Sequence, residues 1–127
     1  MENAVIIDAD VFIRHWRTRS RVESWFDQLN WQYQRLCVSA IAKYEVLAGA
    51  KAEDMKIWRQ IFVDITIFAF DDTTINVARD VFFQLKRDNK IIDTKDILIA
   101  STAIVNNLPL ATYNRNHFER IRGLRLV

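Results

Sequence analysis

Acidic side chains occupy places in this sequence where the surrounding pattern favours apolar residues. Asp8 directly follows the apolar run Ala4-Val5-Ile6-Ile7. Glu45 falls on the apolar stripe of a predicted helix, given a turn of about 100° per residue, and Asp96 opens the apolar segment 97–105. Acids are seldom buried without a partner, so these positions raise the question whether the three acids share a chemical role.

A cluster of carboxylates is stable only when a cation or protons lie between the negative charges. The acids offer only oxygen ligands, Cys37 is the only cysteine, and the two histidines are far apart in the sequence. Such a ligand set selects Mg²⁺ or Mn²⁺ over zinc. A hard cation between acids can bind a phosphate oxygen, activate water and neutralise the leaving oxygen. The chemistry that this cluster suits best is phosphodiester hydrolysis.

Each polar residue taken alone also has a structural interpretation. Asp10 suits the N-cap of a helix over 11–16, and Asp96 suits a helix N-terminus, where the backbone dipole stabilises negative charge. Asp93, one turn before Asp96, is interpreted as a loop aspartate, with a place in the site as the alternative. His15 and His117 have no obvious nucleophile beside them in the sequence, so we expect surface or substrate-contacting roles for both.

Four apolar runs predict the strands that must position these acids. They are Ala4 to Ile7, Leu36 to Val38, Ile65 to Phe70 and Leu110 to Thr112. The first run is continuously apolar rather than alternating, which is typical of a parallel strand that is covered on both faces.

Apolar residues at helical spacing predict the intervening helices. Ser20 and Glu23 form a capping-box signature ahead of one stripe, Ser39 suits the cap of a helix over 40–48 that Gly49 ends, and Asp72 or Thr73 suits the cap of another. The predicted stripes are Val22-Trp25-Phe26-Leu29, Met55-Trp58-Ile61-Phe62 and Ile75-Ala78-Phe82-Leu85. The segment 97–105 is apolar nearly all round and predicts a buried helix.

Strands that alternate with helices predict an α/β fold, a three-layer α/β/α sandwich on a mostly parallel central sheet. We expect a single domain over 1–127. Asp8 ends one strand, Glu45 lies on the helix after the second, and Asn114 follows the last. In an open parallel sheet these points converge at one edge, where ligands bind. This convergence favours the shared site over separate structural roles.

Composition narrows the functional classes. A lone cysteine excludes an intramolecular disulfide and a cysteine-rich zinc site, and the sequence shows neither a signal peptide nor an apolar run of the ~20 residues that span a bilayer. We therefore expect a cytoplasmic protein with no membrane association. The net charge of +2 is small. Arginines nevertheless cluster near both ends of the sequence. Each cluster is interpreted either as a solvated face or as a phosphate-binding surface. The arginines are Arg14, Arg17, Arg19, Arg21, Arg115, Arg120, Arg122 and Arg125.

Four segments, in order and at typical spacing, resemble the PIN-domain family. They are Ile6-Ile7-Asp8-Ala9-Asp10-Val11-Phe12-Ile13, Ser39 to Gly49 around Glu45, Asp96 to Ala103, and Leu110 to Phe118. Within that family the length and the Gly123-Leu124 tail look most like VapC-type toxins of toxin–antitoxin pairs. The resemblance implies an endoribonuclease that depends on Mg²⁺ or Mn²⁺, acts on structured RNA, is inhibited by a cognate antitoxin protein and forms a homodimer.

Carried over position by position, the resemblance assigns Asp8, Glu45 and Asp96 as metal-binding catalytic acids. The family's fourth acidic position falls at Asn114 or His117, and neither is an acid, which puts a second metal in doubt. We expect Asn114 to complete the catalytic set through its amide oxygen. The expected substrate-binding residues are Asp10, Arg14, Arg115 and His117.

Two other functions fit parts of the pattern. A receiver-type signalling domain would use Asp8 and Asp10 for Mg²⁺ and Asp71 or Asp72 as phosphoacceptor, but Thr112-Tyr113-Asn114 stands where that domain needs a lysine. A PIN fold that binds RNA or protein with little catalysis would account for the missing fourth acid. The three acids argue against it, because an inactive site has no reason to keep repelling carboxylates.

Overall fold

The computed structural model describes residues 3–127 and is organised around a parallel sheet of four strands. The strands are β1 Ala4–Ile7, β2 Arg35–Ser39, β3 Thr66–Phe68 and β4 Leu110–Ala111. Their spatial order is β3-β2-β1-β4, and every pairing is parallel. The predicted α/β class is therefore confirmed. Strand β3 is shorter than the predicted run 65–70.

Helices fill each connection between the strands. They are α1 Ala9–Thr18, α2 Trp25–Gln32, α3 Ala40–Ala48, α4 Met55–Val63, α5 Asp72–Arg87, α6 Thr94–Val105 and α7 Arg115–Phe118, with a 3₁₀ turn at Ala52–Asp54. All four residues of β1 are buried. Since neighbouring side chains of a strand point to opposite faces, burial along its whole length means that both faces are covered. Among residues 3–127, no helix combines the length and apolar character needed to cross a membrane.

Helix α2 begins four residues later than the capping-box signature at Ser20 predicts. The reciprocal bonds lie instead between Ser24 and Asp27: the Ser24 Oγ accepts from the Asp27 N–H at 3.3 Å, and the Asp27 carboxylate accepts from the Ser24 N–H at 3.1 Å. The Ser24 hydroxyl also lies 2.7 Å from His15 Nδ1 on α1. A tertiary contact therefore selects the later cap, and Val22 stays 65% exposed outside the helix.

Helix α5 buries a different face from the predicted stripe. Ala78 and Leu85 are buried as expected, but Ile75 and Phe82 are 49% and 37% exposed, and the cap is Asp71 rather than Asp72 or Thr73. The buried Gln84 explains the rotation. Its amide donates to the Arg120 carbonyl at 3.0 Å and accepts from the Arg122 N–H at 3.1 Å, so polar bonds to the C-terminal segment fix which face turns inward.

Ser24 and Ser20, the two candidate N-caps of α2, should differ in how much their substitution lowers the free energy of unfolding. Ser24→Ala removes the acceptor of an N-terminal N–H and should lower the free energy of unfolding by about 1 kcal/mol or more. Ser20→Ala, the matched control, should change it little because Ser20 lies in a turn outside the helix. Urea unfolding of both variants measures the difference, and a larger loss for Ser20→Ala would contradict the assignment.

Candidate active site

The acids predicted from the sequence line one cavity at the carboxyl edge of the sheet. The cavity has a volume of about 260 Å³, and its lining comprises Asp8, Ala9, Asp10, Ile13, Glu45, Asp93, Lys95, Asp96, Asn114 and His117. Asp8 directly follows β1, Glu45 lies on α3 after β2, and Asp96 lies in the first turn of α6. The parallel topology therefore brings residues that are far apart in the sequence into one site.

Asp8 is both the last residue before α1 and the N-cap of that helix. One carboxylate oxygen accepts from the Ala9 N–H at 2.8 Å, and the other accepts from the Thr112 hydroxyl at 2.8 Å. Burial, with the nearby negative charge of Asp10, raises the pKa of Asp8 to about 7. The expectation that Asp10 caps the helix is wrong, because α1 starts immediately after the strand and the cap falls on Asp8.

Asp10 is consequently released from capping and faces the site. Its Oδ2 accepts from the Tyr113 N–H at 3.1 Å, whereas its Oδ1 is buried and has no hydrogen-bond partner in the described part of the chain. Burial raises the pKa of Asp10, against the lowering effect of the Tyr113 bond and the Arg14 charge. A buried carboxylate oxygen without a donor is costly unless another ligand satisfies it.

Thr112 is a site residue that the sequence analysis missed. Ile7 pairs with Ala111 in the sheet register, which sets the next residues of the two chains, Asp8 and Thr112, side by side. The Thr112 side chain is buried, donates to Asp8 and accepts from the Asn114 N–H at 3.0 Å. The available signal was a polar residue at the carboxyl end of a buried strand, the same signal that marked Asp8.

Asp96, Asn114 and His117 meet at the opposite wall of the cavity. Asp96 Oδ2 lies 3.2 Å from His117 Nδ1 and 3.5 Å from Asn114 Nδ2, and the two nitrogens lie 2.9 Å apart. With its proton on Nδ1, His117 donates to Asp96; with its proton on Nε2, Nδ1 instead accepts from the Asn114 amide, which also donates to Asp96. His117 and Asn114 thus contact Asp96 from the two positions where the family pattern suggests a fourth acid.

Glu45 makes an ion pair with a lysine that the sequence analysis did not single out. Lys95 Nζ donates to Glu45 Oε2 at 3.0 Å, while Glu45 Oε1 is buried without a hydrogen-bond partner among residues 3–127. The hydrogen bond and the charge of Glu45 raise the pKa of Lys95. The lysine therefore remains a cation inside the acidic cavity.

The two arginines expected to bind substrate have different surroundings. The Arg14 guanidinium lies 3.8 Å from the centre of the Tyr113 ring, outside the cavity lining, but its charge lowers the pKa of Asp10. Arg115 is not part of the cavity lining. Its guanidinium donates to the Val127 carbonyl at 2.7 Å and lies 3.5 Å from the Glu119 carboxylate, so it serves the C-terminal segment.

The donor set of the cavity fits a hard divalent cation. Its lining supplies carboxylate oxygens, and two buried oxygens, Asp10 Oδ1 and Glu45 Oε1, have no hydrogen-bond partner. Within residues 3–127, no three acidic, histidine or cysteine side chains converge closely enough to hold an ion unaided. Mg²⁺ commonly uses one or two carboxylates and keeps several waters, so water would complete the coordination here.

Comparison with known proteins decides the family. A family model described as PIN domain matches residues 5–124. The chain belongs to the PIN-domain family. The resemblance of the four sequence segments is thereby confirmed, and the receiver-domain alternative is excluded.

Relatives of this PIN-domain protein are named as ribonucleases. It is 30% identical to "Ribonuclease VapC1" of Methanocaldococcus jannaschii, over 98% of this chain and 88% of the relative. It is 28% identical to "Ribonuclease VapC10" of Mycobacterium tuberculosis, over 95% of this chain and 90% of the relative.

Solved structures with the same fold come from toxin–antitoxin complexes. A chain of DNA-bound VapBC from Salmonella typhimurium superposes with a TM-score of 0.86 at 21% identity, covering 100% of this chain and 98% of that one. A chain of VapBC2 from Rickettsia felis, bound to a promoter DNA fragment, gives 0.83 at 23% identity, with 98% and 97% covered. At these identities the likeness shows the fold.

The raised pKa of Asp8 predicts how stability depends on pH in metal-free buffer. Between pH of about 4 and about 7, the folded carboxyl still holds its proton while the unfolded one has lost it. The stabilising contribution of Asp8 to the free energy of unfolding is therefore fully present below pH of about 4. It declines as the pH rises toward about 7 and is lost above that value, a change of up to about 4 kcal/mol. Asp8→Asn keeps the N-cap, so it should match the wild type near pH 4 and exceed its stability above pH 7.

Urea unfolding in EDTA across that pH range measures the difference between the two proteins. Asp80→Asn, an exposed change of the same type on α5, serves as the control and should show no such pH-dependent gain. A gain for Asp8→Asn that does not vary with pH would contradict the burial of an ionisable Asp8.

Proposed function

We propose that this PIN-domain protein is an endoribonuclease that uses Mg²⁺ or Mn²⁺ and is the toxin of a VapBC-type toxin–antitoxin pair. The observation that carries the proposal is the gathering of Asp8, Asp10, Glu45 and Asp96 around one cavity. The names of its relatives support the substrate class. In this proposal residues 1–127 act as a single nuclease domain.

The residues divide into metal-binding and substrate-positioning groups. Asp8, Glu45 and Asp96 would hold the cation together with coordinated water, and the cation would supply activation of water and neutralisation of charge on the phosphate. Thr112 fixes Asp8 by donating to it, and Asn114 and His117 both contact Asp96. Because Nδ1 faces Asp96 and Asn114, the imidazole leaves Nε2 for a substrate oxygen. Asn114 contributes an amide that can position water or phosphate without adding negative charge.

A neighbouring groove supports RNA as the substrate. It has a volume of about 330 Å³ and shares Ile13 with the acidic cavity, so the two adjoin. The lining carries Arg17, Arg19 and Lys51 beside Trp16 and Trp58. Cationic side chains bind phosphates. Trp58 is only 2% exposed, and the Trp16 ring lies between Trp58 and the Arg19 guanidinium, so the groove supports RNA through its charge. On the Asp10 side, Arg14 lies over the 36%-exposed Tyr113 ring and offers a further cation near the acidic cavity.

The partners we propose are a cognate antitoxin and a second copy of the chain. VapBC complexes among the structural neighbours support the antitoxin. Exposed apolar side chains of α5, Ile75, Phe82 and Phe83, support a covered surface such as a homodimer would provide. We propose a cytoplasmic location without membrane association, because a toxin of this kind acts on cellular RNA.

RNA cleavage by the purified protein, freed of any partner, tests the proposal. Total cellular RNA is incubated with Mg²⁺, Mn²⁺ or EDTA. We expect discrete fragments with either metal and none with EDTA. Asp96→Asn should lower the cleavage rate by more than about a hundredfold, since even losing a group behind a metal ligand commonly costs 10- to 100-fold. Asp80→Asn, exposed on α5, should cleave like the wild type.

Two outcomes would contradict this function. Equal cleavage by Asp96→Asn or in EDTA would place the activity elsewhere or in a contaminant. A folded wild type that neither cleaves RNA nor binds Mn²⁺ would favour the alternative, a PIN-fold module that binds RNA or protein. The absence of an acid at Asn114 and His117 is the observation that keeps this second candidate open.

A further inference from the structure

Among residues 3–127, Lys95 is the only lysine or arginine that lines the acidic cavity. Its ammonium lies 3.0 Å from Glu45 Oε2, and its neighbours Asp93 and Asp96 contribute to the same lining. Within residues 3–127, five carboxylates and one ammonium thus line this acidic cavity. The lysine occupies the position of a counter-charge to one of the proposed metal ligands.

The ion pair is poorly suited to a purely structural role. The Lys95 side chain is 53% exposed, and exposed ion pairs stabilise folds little. Its long chain can also leave Glu45 without moving the backbone of α6. The pair satisfies only one oxygen of Glu45, since Oε1 remains buried without a hydrogen-bond partner. The arrangement is that of a removable cation beside an incompletely satisfied carboxylate.

We propose that Lys95 is a tethered counter-cation that neutralises Glu45 in the metal-free protein and is displaced when a divalent cation binds. This inference rests on the proposed metal-dependent function. An ammonium and a divalent ion at one carboxylate repel each other. Metal binding must therefore include the work of breaking the Lys95–Glu45 pair, and Lys95 lowers the affinity of the site for metal. By linkage, bound metal loosens Lys95 from Glu45 to the same extent.

Mn²⁺ binding, measured by isothermal titration, tests the first consequence. Lys95→Met removes the competing charge and should bind Mn²⁺ roughly five- to twentyfold more tightly than the wild type. Lys95→Arg keeps the charge and should bind like the wild type. Lys90→Met, the same change at an exposed lysine outside the cavity lining, is the matched control and should also leave the affinity unchanged.

The outcomes separate this inference from the proposed function. If the wild type binds Mn²⁺ and Lys95→Met binds it equally or more weakly, the counter-cation role is overturned while the metal site stands. If neither protein binds Mn²⁺, the metal-dependent function and the inference fall together. Equal tightening by Lys90→Met would assign the effect to net charge and would also overturn the role of Lys95.

Amine labelling of the wild type tests the displacement itself. Peptides carrying Lys95 and Lys90 are followed by mass spectrometry after brief acetylation, with Mg²⁺ or with EDTA. Saturating Mg²⁺ should raise the labelling rate of Lys95 and leave that of Lys90 unchanged, because only Lys95 loses a carboxylate partner. Equal or slower labelling of Lys95 with Mg²⁺ would contradict the displacement.

Discussion

Repulsion among carboxylates that the fold holds in one partly buried cavity is the constraint on which the site depends. Asp8 and Asp96 are each 6% exposed, and burial together with the charge of Asp10 raises the pKa of Asp8 to about 7. Folding thus places groups together that would separate in water. Polar contacts relieve part of this repulsion, through Thr112 at Asp8 and through Asn114 and His117 at Asp96. A divalent cation would relieve the remainder.

The rigid parts of the fold maintain this arrangement. Strand β1 is central and fully buried, so the position of Asp8 at its end is fixed by packing. The β1–β4 register then fixes Thr112 beside it. Glu45 differs, because it lies on α3 and is paired with the half-exposed side chain of Lys95. The site therefore combines Asp8, fixed by the sheet, with an acid whose partner is a solvent-exposed lysine.

The sequence predicted the features that follow from local pattern. Continuous burial of β1 and the strand–helix alternation could be predicted from periodicity, and the convergence of Asp8, Glu45 and Asn114 followed from parallel topology. Features that depend on strand register or on side-chain contacts across the fold could not be predicted from the sequence. Thr112 required the pairing of Ile7 with Ala111, and Lys95 required knowledge of which residue faces α3. The N-cap of α2 at Ser24 could not be predicted for the same reason, since the contact between Ser24 and His15 is tertiary.

Stabilisation of the folded protein by Mn²⁺ at pH 8 tests most directly whether the acids form one cation site. A ligand that binds only the folded state adds about 2.7 kcal/mol to the free energy of unfolding at a hundredfold excess over its Kd. We predict a gain of this kind for the wild type in Mn²⁺ relative to EDTA. Most of it should disappear in Asp96→Asn, whose free energy of unfolding in EDTA is the baseline for that variant. No gain in the wild type, or an equal gain in Asp96→Asn, would contradict the account.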